Sequence, residues 1–372
     1  IVIHNEDRMS PDVAQRMIDL ANDGMKIVVV GDAPSKLMYR SEVNEGYTDQ
    51  DIVNAMNTLL QNPNVKQVSD YDQLPTALTE LNVQPDAQYS TPTDLLAKHQ
   101  VDDNGDFYYL YNYNRICAED ANATLAKAGT AYPGINKDLL TAKSLDVTLK
   151  GEGKPYLLDA WTGEITPIAE YQQNDESVTL HLDFDKDEAK LIALLTDQEA
   201  IENGLTPQSV YATDVTGDAA VNYQDNGMVL KSTQEGTYTV TANNNQIDKV
   251  VTKNIQDPFT VEEWNLQIKS LEKNENGSIY FYDSQWKELD PVTITELKGW
   301  KDINPEWKNV AGIGTYTTTF HLDKGYDQGY GAYIDLGEVE DTFTVTVNGT
   351  KLPMVNQINT IVDIGPYVHA GE

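Results

Sequence analysis

Ser177-Val178-Thr179-Leu180-His181-Leu182-Asp183-Phe184 alternates polar and apolar side chains without a break. A period of two is that of a β-strand, so Val178, Leu180, Leu182 and Phe184 share one face and their polar neighbours the other. One face meeting a core and one meeting water is the habit of antiparallel sheets. Outward from this stretch, Lys190–Leu195, Leu145–Leu149 and the tyrosine-rich Phe107–Tyr113 read as further strands. Met228–Lys231 and Thr237–Thr241 follow, with an Asn-Asn-Asn turn at 243–245. Helix signals nearly vanish beyond Tyr89, where Pro85, Pro92 and polar neighbours mark a connection. Residues 96–255 therefore read as a β-sandwich.

Residues 1–95 have another texture. Ile1–Ile3 and the β-branched run Lys26-Ile27-Val28-Val29-Val30 read as strands, the second apolar on both faces as in a buried parallel sheet. Ser10-Pro11-Asp12 supplies a capping hydroxyl, a proline at the first helical position and an acid in the first turn; Val13, Met17, Leu20 and Ala21 follow at helical spacing, and Gly24 stops the helix. Thr48 caps a second helix carrying Ile52, Val53, Met56, Leu59 and Leu60, before a Val65–Val68 strand and a Leu74–Leu81 helix. Strand and helix in alternation give an α/β layer with right-handed crossovers. The last section, 256–372, holds Trp264, Trp286, Trp300 and Trp307. There Tyr316, Thr318, Phe320 and Leu322 alternate, as do Phe343, Val345 and Val347 before an Asn348-Gly349 hairpin turn, a pattern that fits a jelly-roll sandwich. The fold class expected is multidomain α/β plus all-β.

The 59 acidic residues outnumber the 26 basic ones, for a formal net charge of -33. Such a chain repels phosphate backbones and anionic head groups, which argues against nucleic acid and membrane surfaces as partners. No run approaches the roughly 18 apolar residues of a membrane span. The single cysteine, Cys117, excludes a disulfide within the chain and zinc sites built on several thiolates. The chain opens on Ile1-Val2-Ile3, as if a strand were in progress, and stops at Ala370-Gly371-Glu372, so both ends read as cut.

Histidines at 4, 99, 181, 321 and 369 are scattered, with His181 and His321 on the polar side of strand patterns, so no nucleophilic serine or cysteine system is expected. Gly31-Asp32-Ala33-Pro34-Ser35 follows a strand where open α/β sheets bind ligands, yet lacks the glycine spacing of a phosphate loop and reads as a turn. Asp183, Asp185, Asp187 and Glu188 could bind calcium but lack the glycine and spacing of the known calcium loop and read as a solvated strand end, so no cofactor is expected, calcium being the one alternative. The sequons at Asn122, Asn276 and Asn348 read as chance, Asn348 already having a turn to make. Sugars present apolar faces and hydroxyl edges, which aromatic platforms with polar neighbours recognise. Trp286, Trp300, Trp307 and Tyr330 fall in loop-like or strand-end surroundings and are the carbohydrate-binding candidates, set against the plainer reading that they pack a core or a sandwich edge.

Ala311-Gly312-Ile313-Gly314-Thr315-Tyr316-Thr317-Thr318-Thr319-Phe320 resembles the opening strand of the sugar-binding jelly roll of family-2 glycoside hydrolases. Ala332–Val339, Val345–Gly349 and Val362–Tyr367 resemble its later strands. The order as a whole, with Tyr109-Leu110-Tyr111-Asn112-Tyr113-Asn114-Arg115 and Leu158-Asp159-Ala160-Trp161-Thr162-Gly163-Glu164 between the α/β layer and the jelly roll, resembles the region after the catalytic barrel of large bacterial α-L-rhamnosidase-like enzymes. The resemblance implies an amidotransferase/flavodoxin-like layer at 1–95 without its catalytic cysteine, a sandwich at 96–255 and a galactose-binding-like jelly roll at 256–372. It implies a secreted or cell-surface bacterial protein whose partners are carbohydrate and an upstream catalytic domain of the same polypeptide. The catalytic acids belong to that barrel, so no catalytic residue is expected here. The alternative reading is a carbohydrate-binding or adhesion protein without chemistry; an active amidotransferase is disfavoured by the absence of cysteine from residues 1–116.

Overall fold

The computed structural model describes residues 1–39, 44–113, 141–224, 227–273, 284–322, 326, 329–337, 339 and 342–369. They form two compact units, Ile1–Gln88 and Tyr89–Glu372, and most of their regular structure is β.

The first unit is built on β1 (Val2–His4), β2 (Ile27–Val30) and β3 (Val65–Val68), parallel strands with β2 in the centre. Every residue of β2 is buried, because each face of the strand is covered by helices. Ile27 and Val29 pack with Ala14 and Ala21 of α1 (Pro11–Asn22) and with Ile52, Met56 and Leu59 of α2 (Asp49–Leu60). Val28 and Val30 pack with Leu74 and Ala77 of α3 (Leu74–Glu80). Helix α1 stops where Gly24 takes φ +100°, its N–H donating to the Ala21 carbonyl at 3.1 Å and that of Met25 to Leu20 at 2.9 Å. At the start of α2 the Asp51 carboxylate accepts from the Thr48 N–H at 2.7 Å and the Thr48 hydroxyl at 2.6 Å.

The second unit opens with two antiparallel sheets. One has five strands in the order β8 (Ile165–Pro167), β7 (Lys154–Leu158), β11 (Ala189–Leu195), β5 (Gly105–Tyr111) and β4 (Leu96–Asp102). The other sets β10 (Ser177–Phe184) between β9 (Gln172–Asn174) and β6 (Lys143–Lys150). Strand β10 forms over the residues whose alternation marks it, with Val178, Leu180, Leu182 and Phe184 buried. Leu145, Val147 and Leu149 of β6 lie directly opposite the first three of these in register, as Leu182, Leu180 and Val178 partners. Each fully buried aliphatic of this kind stabilises the fold by roughly 1.5–3 kcal/mol. The Tyr108 hydroxyl of β5 donates to the Lys150 carbonyl of β6 at 2.6 Å, tying the sheets together. Asn112 is fully buried and donates to the carbonyls of Thr141 and Asp185, so its polar side chain is satisfied.

Strand β11 is buried on both faces along Ile192–Leu195. Its outward Ala193 and Leu195 pack with Tyr156 and with Ala200 of α4 (Asp197–Glu202). Gly153 makes this possible: it takes φ +108°, and a Cβ there would collide with the backbone of Leu195 and Thr196. The Asp159–Glu164 segment is a hairpin turn between β7 and β8, where the Asp159 carboxylate accepts from the N–H groups of Trp161 (2.7 Å) and Thr162 (3.1 Å).

Next, β12 (Ala212–Val215), β15 (Gly236–Ala242) and β16 (Ile247–Thr252) form one sheet, and β13 (Ala220–Gln224) pairs β14 (Gly227–Lys231) as a hairpin. Further on, β17 (Trp264–Lys273) is flanked by β18 (Ser284–Glu288) and β19 (Val292–Ile294) on one edge and β20 (Gly312–Thr317) on the other. Strand β20 is displaced from the Tyr316–Leu322 alternation because its pairing runs along Asn265–Ser270. After it β21 (Tyr333–Asp335) pairs β24 (Ile361–Asp363), and β22 (Thr346–Val347) pairs β23 (Thr350–Lys351) through Asn348 and Gly349, both at positive φ. The strand expected from Phe343 begins only at Thr346. At Phe343 the Gln357 amide does the pairing instead, accepting from the backbone N–H at 2.7 Å and donating to the carbonyl at 3.1 Å.

Candidate carbohydrate-binding site

Side chains alternate across a strand, and residues directly opposite in register share a face. On β17 this rule separates two faces. Leu266 and Ile268 lie on one, with Tyr316 and Gly314 opposite them; Lys269 and Leu271 lie on the other, with Ile313 and Trp286 opposite them.

The first face is a packed core. Leu266, Ile268 and Ile294 are buried there, with Trp264, Trp300 and Trp307 against them. The short helix α5 (Trp300–Ile303) and the 3₁₀ turn Pro305–Asn309 deliver Trp300 and Trp307. Trp300 donates from Nε1 to the Tyr316 hydroxyl at 2.8 Å and lies so close to Gly314 that a Cβ there would come within 2.7 Å of its ring. The second face is open. Trp286 stands on it 49% exposed, with the Lys269 ammonium 5.6 Å from the ring centroid. Tyr330 lies apart from these three; half-buried, it donates to the Lys253 carbonyl at 2.8 Å and has Tyr326 beside it, with ring centroids 6.2 Å apart. Trp300 and Trp307 are thus brought together, whereas Trp286 faces the opposite way on the same sheet. Gly314 is the signal that could have pointed to Trp300 in advance: a bare position on a strand face leaves room that an indole can cover, while Gly312 is bare because the Lys269 backbone lies against it.

Cross-strand pairing also builds a constellation that no linear pattern shows. The imidazole of His181, on β10, has Nε2 2.9 Å from the Ser144 hydroxyl and Nδ1 2.7 Å from the Asp146 carboxylate, both on β6. The order serine, histidine, carboxylate is that of a nucleophilic triad. The rest of such a site is missing among the described residues. Asp183 pairs with Ser144 in the ladder and puts a second carboxylate 3.7 Å from the ring, where a developing oxyanion would be repelled. The group lies on an exposed sheet face and is a solvated network.

Of the other residues singled out by sequence, the turn at Asp183–Glu188 spends its carboxylates on structure. Glu188 accepts from the Asp185 N–H at 2.7 Å and pairs Lys190 at 2.9 Å, Asp187 accepts from the Tyr111 hydroxyl, and Asp185 accepts from Asn359 at 2.5 Å. No group of three or more metal-ligating side chains is arranged around a common point among the described residues. In the loop after β2, Gly31 N–H donates to the Val68 carbonyl and the N–H groups of Ser35 and Lys36 both donate to the Asp7 carbonyl, so these three donors serve the fold. His4 lies against Tyr71, His99 stacks on Tyr108 and pairs Asp106 at 2.8 Å, and His321 and His369 are exposed. Cys117 and the sequons at Asn122 and Asn276 lie outside the described residues.

A cavity of about 490 Å³ is lined by Asp106, Glu152, Glu176 and Glu199 with Lys150 and Thr196. Two of its four acids are already engaged: Asp106 with His99, and Glu199 with the backbone N–H and hydroxyl of Thr196 at 2.7 and 2.8 Å. The other two, Glu152 and Glu176, are exposed. No aromatic ring lines the cavity.

No protein-family model and no curated protein matches the chain. Among solved structures it is similar to a rhamnosidase from Novosphingobium sp. PP1Y, with a TM-score of 0.57 and 17% identity, over 100% of this chain and 28% of that one. The likeness is one of fold. The chain spans little more than a quarter of that rhamnosidase's length.

Proposed function

We propose that this chain is a non-catalytic accessory part of an α-L-rhamnosidase-like glycoside hydrolase. In this reading the polypeptide that carries it hydrolyses glycosidic bonds in complex polysaccharides. Residues 1–95 form an amidotransferase/flavodoxin-like layer without a nucleophilic cysteine, 96–255 a sandwich, and 256–372 a galactose-binding-like jelly roll. The enzyme is bacterial and exported or displayed at the cell surface, and this part supports an upstream catalytic barrel and binds carbohydrate. The observation that carries the reading is the likeness in fold along the full chain to a portion of a rhamnosidase. Of the four aromatic candidates, Trp286 has the open face and polar neighbour that a sugar platform needs.

The test is hydrolysis of a panel of chromogenic glycosides, α-L-rhamnoside included, by this 372-residue chain and by the longest polypeptide its gene encodes. Cleavage of the rhamnoside by the longer polypeptide alone is the expected result. Cleavage by the short chain overturns the accessory reading. Silence from both, with oligosaccharide binding retained, selects the adhesion reading instead.

A further inference from the structure

We propose that the outer face of the five-stranded sheet carries a second saccharide subsite, centred on Tyr109 and taking one pyranose residue. The inference deepens the reading of the chain as part of a carbohydrate-active enzyme, and rests on it for the class of ligand.

Register places the residues. Lys98 lies opposite Tyr109, Gln100 opposite Phe107, and Leu191 opposite both Tyr109 and Leu158, so all six share the outer face. One end of this face is closed by α4, where Tyr156, Ala193, Leu195 and Ala200 are buried. The other end is open, and the same six residues line a concavity of about 270 Å³ there. That is just under the roughly 300–1,000 Å³ of pockets that enclose larger ligands, which limits the occupant to a single sugar ring.

The lining is sorted by chemistry. Leu158 and Leu191 make an aliphatic floor, Phe107 and Tyr109 bring aromatic rings, and the exposed Lys98 and Gln100 put an ammonium and an amide along one side. A pyranose has matching parts: an axial C–H face for the aromatic ring, and a hydroxyl edge for donors and acceptors. Tyr109 keeps 41% of its surface exposed beside Tyr111, with ring centroids 6.1 Å apart, and the Tyr111 hydroxyl is held by Asp187. A fixed neighbour limits the rotamers open to Tyr109, so less entropy is lost when a sugar stacks on it. No carboxylate lines the concavity, in a chain whose acids outnumber its bases by more than two to one. That local lack of negative charge disfavours a cation and admits a neutral sugar or a uronate, the latter drawn to Lys98. A protein partner would need about 800 Å² of its surface against this face, far more than the concavity offers.

The experiment is saturation-transfer NMR and calorimetry of the full chain with methyl α-L-rhamnopyranoside and methyl α-D-galactopyranosiduronate. Tyr109→Ala is expected to weaken binding of both by about tenfold, and Tyr109→Phe to leave it within about twofold. Lys98→Ala should weaken the uronide more than the rhamnoside. Tyr109→Ala in a Trp286→Ala background should weaken the remaining binding by the same factor, which separates this site from the Trp286 face, and thermal unfolding of each variant reports that the sandwich is intact. Binding unaffected by Tyr109→Ala, binding abolished only by Trp286→Ala, or no saturation transfer to either glycoside overturns the subsite. Any of these results beside rhamnoside cleavage by the longer polypeptide removes the subsite and leaves the accessory reading standing, so the two failures are distinguishable.

Discussion

The aromatic residues of Trp264–Thr317 and those of Gly105–Tyr113 differ in which way they turn. In the first region three tryptophans cover one face of a small sheet and leave Trp286 on the other. In the second, Tyr108 is buried between sheets while Phe107, Tyr109 and Tyr111 alternate with it onto the outer face. Aromatic content alone would name the tryptophan-rich region as the surface that meets sugar. The strand parity and covering of each ring sort them instead, and of those four tryptophans Trp286 alone stays on an open face. A ring delivered by a helix or turn onto a covered sheet face becomes core, as Trp300 does over Gly314, whereas a ring on the outward parity of a partly covered sheet stays available.

Four measurements would break or sharpen this contrast. The largest effect is expected from Trp300→Ala, which removes an indole packed over Gly314 and should destabilise its cluster by about 3 kcal/mol in denaturant unfolding; Tyr109→Ala should cost less than about 1 kcal/mol. Equal losses would mean that Tyr109 also serves as packing. Gly314→Ala attacks the same indole from below, and overpacking of this kind should cost about 1–3 kcal/mol, partly relieved in the Gly314→Ala, Trp300→Leu double variant. In the sandwich, Thr196→Ala opens the capping box of α4, the helix that closes half of the outer face, and should cost about 1 kcal/mol. A change in the affinity of the Tyr109 subsite in that variant would show that α4 shapes it.

The smallest effect concerns Glu170, whose carboxyl is raised above its ordinary value of 4.5 by burial, opposed by His181 and reinforced by Asp214. The folded chain prefers the neutral acid. Its contribution to stability is therefore fully present below about pH 4.5 and is lost as pH rises through the raised value. Glu170→Gln should flatten the dependence of thermal unfolding on pH across that window. An unchanged slope would assign it to other groups.

Much of the local structure was legible. Strand β10 formed over the eight residues whose alternation marks it, the strand at Val65–Val68 matched, and Asn348-Gly349 made its two-residue turn. These features depend on neighbours within a few residues, and binary pattern or φ preference suffices to read them. Phe343 shows the limit. Its alternation with Val345 was real, but a distant glutamine amide took the place of a ladder partner. Among candidate site residues, Trp286, Trp300, Trp307 and Tyr330 were all visible as aromatics, and nothing in their order told which would be covered.

Alternation, capping and turn chemistry thus belong to the sequence itself, because a side chain's parity on its strand is set by the chain's own geometry. Which parity meets solvent is a property of the assembled sheets. Only tertiary structure brought Ser144 and Asp146 onto His181, spent the carboxylates of Asp185, Asp187 and Glu188 on structural hydrogen bonds, and laid α4 over half of a sheet face so that the other half stayed open. The physical reason is that strand register and the covering of a face are settled by residues far apart in the chain.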